Sequence, residues 1–60
     1  MRKELITTAN SEDAAIAKLR SAFADYRRKR DVKDWHWIKE PEALQAGRIW
    51  RAYGRIEFTK

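Results

Sequence analysis

Sixty residues carrying fourteen Lys and Arg against nine Asp and Glu make one basic chain, with net charge +5 and a pI of about 10.0. That length leaves no room for a second core, and the lack of cysteine with a single histidine excludes the disulfide and metal staples of many small folds. With 38% charged residues and no apolar run longer than Ala14 to Ala17, neither a membrane span nor a signal-peptide core can be built.

A soluble single domain of thin stability is therefore expected over residues 1–60. The absence of thiols fits a reducing compartment, so a cytoplasmic location is expected. The charge is unevenly spread. Up to Tyr26 four basic residues (Arg2, Lys3, Lys18, Arg20) balance four acidic ones (Glu4, Glu12, Asp13, Asp25), so the whole excess lies in residues 27–60, together with all three tryptophans. A basic, aromatic-rich half of this kind points toward polyanions.

In chain order, Leu5-Ile6-Thr7-Thr8 is β-branched and short, and the polar break Asn10-Ser11 follows it, which predicts a strand ending at a helix start. Asn10 or Ser11 can cap that helix, and Glu12 and Asp13 suit the positive end of its dipole. Ile16, Leu19, Phe23 and Tyr26 recur at spacings of three and four, predicting the main amphipathic helix over 11–30. Trp35-His36-Trp37-Ile38-Lys39 reads as a second strand, closed by Glu40-Pro41. Pro41 suits the first position of a helix and Gly47 its exit, so a short helix is predicted from Pro41 to Ala46. From Arg48 to Phe58 the residues alternate. Trp50, Ala52, Gly54, Ile56 and Phe58 fall on one side, and Ile49, Arg51, Tyr53, Arg55 and Glu57 on the other, as in one long half-buried strand or two bent at Gly54.

The predicted fold is thus α+β in two layers, with order β-α-β-(short α)-β and one main helix on a three-stranded, mostly antiparallel sheet. A single helix covers one sheet face, so the other stays open to solvent or a partner. Trp35 and Trp37 share a face and are expected in the core, because so small a domain needs their area.

No enzymatic constellation is present: there is no cysteine nucleophile, no glycine-rich phosphate loop and no metal-ligand spacing. No catalytic residue, metal or cofactor is expected. His36 and Asp34 read as ordinary sheet residues, and Glu40 and Glu42 as structural acids beside the helix start. Arg27, Arg28, Lys29 and Arg30 span more than a helical turn, so they cannot share one face. They can contact phosphates or simply complement the helix dipole. Arg51, Tyr53 and Arg55 alternate onto one face, where guanidinium groups beside a ring suit phosphates and a stacked base.

The leading expectation is a small non-catalytic accessory or regulatory protein that binds nucleic acid, DNA or RNA. Arg27, Arg28, Lys29, Arg30, Arg48, Arg51 and Arg55 would form its phosphate track, with Tyr53 stacking or positioning. The alternative is a protein-interaction module, an inhibitor or adaptor, using the uncovered sheet face or an edge strand. Arg and Tyr dominate protein interfaces too, and the acids Asp31, Asp34 and Glu57 suit that reading. A homodimer pairing its open faces is a related expectation. A small enzyme subunit ranks below both, for want of residues to do chemistry.

Overall fold

A computed structural model describes residues 1–59. It contains β1 (Arg2–Ala9), α1 (Glu12–Lys29), β2 (Asp34–Ala46) and β3 (Ile49–Thr59), with the strands in one antiparallel sheet of order β1-β3-β2. The expected α+β architecture, one helix on three strands, is the one observed. No helix is long and apolar enough to cross a membrane among the described residues.

Each end of α1 follows from its local sequence. The Ser11 side chain accepts the Ala14 N–H at 3.2 Å, and Glu12 and Asp13 occupy the first turn. At the other end the chain leaves through Asp31, whose φ is 53°. The Asp31 N–H reaches the Arg28 carbonyl at 3.3 Å and the Val32 N–H the Arg27 carbonyl at 3.0 Å, a Schellman closure that satisfies two helix carbonyls. Aspartate tolerates the left-handed position that glycine more often fills.

The core lies between α1 and one face of the sheet. Ala15, Leu19 and Phe23 meet Ala52, Ile56 and Phe58, all buried. Leu5, Ile16, Tyr26, Trp35, Trp37 and Trp50 pack half-buried around them. The alternation read from β3 holds along its length, with Ala52, Gly54, Ile56 and Phe58 buried beneath the helix. Trp35 and Trp37 share that side as expected, and Trp37 meets Phe23 edge to face at 5.1 Å.

The short helix expected from Pro41 to Ala46 does not form. Those residues continue β2, which pairs with β3 out to Ala46 opposite Ile49. Two register shifts, between Trp37 and Lys39 and between Lys39 and Glu42, absorb the proline. Because β2 is an edge strand, a residue without an N–H is tolerated in the irregular stretch, and Pro41 lies there. Gly47 is not a helix exit. With φ 67° it is the first residue of a two-residue hairpin loop, and Arg48 has no positive φ, the φ pattern of a type II′ turn.

Candidate functional site

The eight residues singled out in the sequence fall in three separate places. Arg27, Arg28, Lys29 and Arg30 end α1; Arg51, Tyr53 and Arg55 lie on the sheet face away from the helix; Arg48 sits in the β2–β3 hairpin loop. The hairpin loop is at the end of the sheet where α1 begins, and the helix terminus is at the end where β2 begins, in a molecule 37 Å long. They do not form one continuous track.

At the end of α1 each cation has a distinct setting. Phe23 is buried beneath the helix, and Arg27, four residues on, emerges beside it; its Nε donates to the Phe23 carbonyl at 3.3 Å and its guanidinium lies 3.9 Å from the centre of the Trp35 ring. Arg30 lies 4.8 Å from the Tyr26 ring centre, and Lys3 approaches the same ring at 5.2 Å from β1. Arg28 turns outward to Asp25 at 2.8 Å, and Lys33 meets Asp31 at 3.3 Å. Lys29 is exposed at the β1 flank with Lys3. Of the six cations gathered here, Lys3, Arg27 and Arg30 lie against two half-buried rings, and both carboxylates among them are already paired.

Further up the helix on the β2 flank, Arg20 lies 6.0 Å from the Trp37 ring centre. Trp35 and Trp37 meet edge to face at 5.3 Å, so Arg20 and Arg27 border a pair of indoles. Lys3, Arg20 and Lys33 were not singled out from the sequence. The signal for Lys3 was its alternation with Leu5, and for Arg20 its spacing of seven from Arg27.

The open sheet face has a different character. Arg55 pairs with Glu4 at 2.9 Å, Arg2 with Glu57 at 3.2 Å, and His36 lies 3.6 Å from that same carboxylate. The Tyr53 hydroxyl donates to Glu42 at 2.8 Å, and Lys39 reaches the same carboxylate at 3.0 Å. The expectation that Glu40 and Glu42 flank a helix start is thereby corrected: both lie on β2, and Glu42 is a partner of the stripe. The hydrogen bond from Tyr53, then that from Lys39 and its charge, hold the Glu42 carboxyl below the usual carboxylate range. The same hydrogen bond raises the Tyr53 hydroxyl above its usual value, and the bond to Glu42 raises Lys39.

Arg51 is the cation of this stripe with no ion-pair partner among the described residues, and Thr8 and Leu44 flank it across the sheet. Ile6 and Leu44 are each about 60% exposed, and Ile49 is exposed near them. At the opposite end of this face a depression of about 270 Å³ is lined by Asp34, His36, Glu57 and their neighbours. Compared with protein-family models, curated proteins and solved structures, the chain matches none.

Proposed function

We propose that this protein binds nucleic acid, without chemistry of its own, through the end of α1. The observation that carries the reading is the gathering of Lys3, Arg27, Arg28, Lys29, Arg30 and Lys33 where the acids Asp25 and Asp31 are already neutralised. Phosphates would take Lys3, Lys29 and Arg30, since Arg28 and Lys33 already serve Asp25 and Asp31, while Arg27 on Trp35 and Arg30 on Tyr26 present cations already oriented against rings. A base unstacked from a single strand would lie against the guanidinium planes that cap these rings.

Salt titration of binding to single-stranded and duplex DNA and RNA tests the reading. Three phosphate contacts predict a log–log slope of about −3 on duplex DNA. The Lys29→Glu, Arg30→Glu double variant removes binding, and Arg51→Glu, Arg55→Glu on the other face leaves it. Salt-independent binding, or loss in the second variant alone, overturns the assignment.

The open face supports a second reading. Its cations are matched by Glu4, Glu42 and Glu57, and exposed Ile6, Leu44 and Ile49 surround Arg51 and Tyr53. Apolar area with self-neutralised charge suits a protein partner better than a phosphate backbone. Loss of a protein partner in the Arg51→Glu, Arg55→Glu variant, with nucleic-acid binding intact, would assign both surfaces separately.

A further inference from the structure

The two sheet edges are unlike. β2 carries Pro41 and two register shifts, features that discourage pairing with another strand. β1 pairs with β3 through eight successive positions without a shift and contains no proline. Met1 and Phe58 exchange both backbone bonds, at 2.7 and 2.8 Å, which sets the phase of the ladder. Lys3, Leu5 and Thr7 therefore turn their N–H and C=O groups toward β3, and Arg2, Glu4, Ile6 and Thr8 turn theirs outward. Of these four carbonyls, that of Thr8 has a side-chain partner, Lys18 Nζ at 2.9 Å.

We infer that this edge pairs with β1 of a second copy, antiparallel about a two-fold axis through Leu5, to make a six-stranded sheet with both helices on one face. The register follows from the outward groups. Centring on Leu5 sets Arg2 against the second copy's Thr8 and Glu4 against its Ile6, so all four outward residues find partners within the strand. Centring on Glu4 opposes two carboxylates, and centring on Ile6 leaves Arg2 beyond the end of the facing strand. One-residue offsets put opposite faces together and are excluded.

The helix layer fits the same axis. Leu5 and Ala22 line one groove between β1 and α1, so Ala22, a small residue of the helix, borders the axis at Leu5. Lys18 lies four residues before it and Asp25 three after it, both on the β1 flank. A two-fold there brings each Lys18, which holds the Thr8 carbonyl, beside the second copy's Asp25, which holds Arg28, so that a reciprocal pairing of opposite charges would share or replace those bonds. The inference rests on the strand edge and not on the nucleic-acid reading, although Lys3 and Lys29 line the groove at the seam; Arg27, against Trp35, lies on the β2 flank.

Sedimentation equilibrium of the intact chain over a concentration series, with two sets of variants, tests it. The wild-type chain forms a dimer. Ile6→Pro removes an outward N–H and spares the β1–β3 ladder. Two lost bonds per dimer weaken association about tenfold or more while the circular dichroism is kept. Leu5→Cys introduces the sole thiol at a facing pair without ladder bonds, where strands approach closest, and mild oxidation gives a covalent dimer. Ile6→Cys does not cross-link. A monomer at every concentration, a dimer indifferent to Ile6→Pro, or cross-linking through Ile6→Cys in place of Leu5→Cys each overturns the inference.

Discussion

The two surfaces that could meet a partner divide the charge of the chain unequally. On α1 and its cap, Lys18, Arg20, Arg27, Arg28, Lys29 and Arg30 face three acids, so this one element accounts for three of the five net charges. On the open face Arg2, Lys39, Arg51 and Arg55 face Glu4, Asp34, Glu42 and Glu57, four of each sign. Basicity belongs to the helix layer, then, and the open sheet is neutral and more apolar. The comparison teaches that a basic stripe in a strand, read alone, overstates its field, because its neighbours across the sheet come from distant sequence.

The sharpest way to break the comparison is to trade substitutions across β3, whose two faces meet such different surroundings. Ile56→Ala removes a fully buried side chain between α1 and the sheet and costs about 2 to 5 kcal/mol, much of the stability of so small a domain. Arg51→Ala, on the neutral face, changes stability by less than about 0.5 kcal/mol. Urea denaturation measures both; comparable losses would mean that the open face is covered.

Gly54 gives the next largest effect. A Cβ there would lie 3.3 Å from Leu19 Cδ2, 3.3 Å from the Lys39 carbonyl oxygen and 3.4 Å from Phe23 Cε2. The absent side chain lets the helix and the bulged part of β2 approach the central strand. Gly54→Ala is expected to destabilise by about 1 to 3 kcal/mol, again by denaturation; a neutral result would show that the helix can shift away.

Gly54 also marks how far the sequence could be read. Its place in an alternating run put it on the core side, but periodicity could not say that Leu19 and Phe23 press against it. The same local signals located the helix, its Ser11 cap and the faces of β3. They failed at Pro41, because a proline that opens a helix and one that interrupts an edge strand look alike until β2 is known to be an edge. The stripe Arg51, Tyr53, Arg55 was legible as a face. Its neutralisation by Glu4 and Glu42 was not, since that depends on the β1-β3-β2 order and on bulges that bring Glu42 opposite Tyr53.

The smallest effect probes that neutralisation directly. The Glu42 carboxyl is held low by its hydrogen bond from Tyr53 and by Lys39, so its contribution to stability is present above the ordinary carboxylate range and is lost as pH falls through its lowered value. Tyr53 and Lys39 are raised by their bonds to Glu42. Their contributions are whole below the ordinary tyrosine and lysine values and are lost as pH rises through the raised ones. The triad is therefore complete across the neutral range and fails at both extremes. In a Tyr26→Phe background, ultraviolet titration follows Tyr53 alone, and it should ionise above an ordinary tyrosine. Glu42→Gln removes the carboxylate that opposes ionisation and moves the midpoint back toward the ordinary value. If the midpoint stays where it was, Glu42 is not what holds the proton on Tyr53, and one of the links that make the open face neutral is broken.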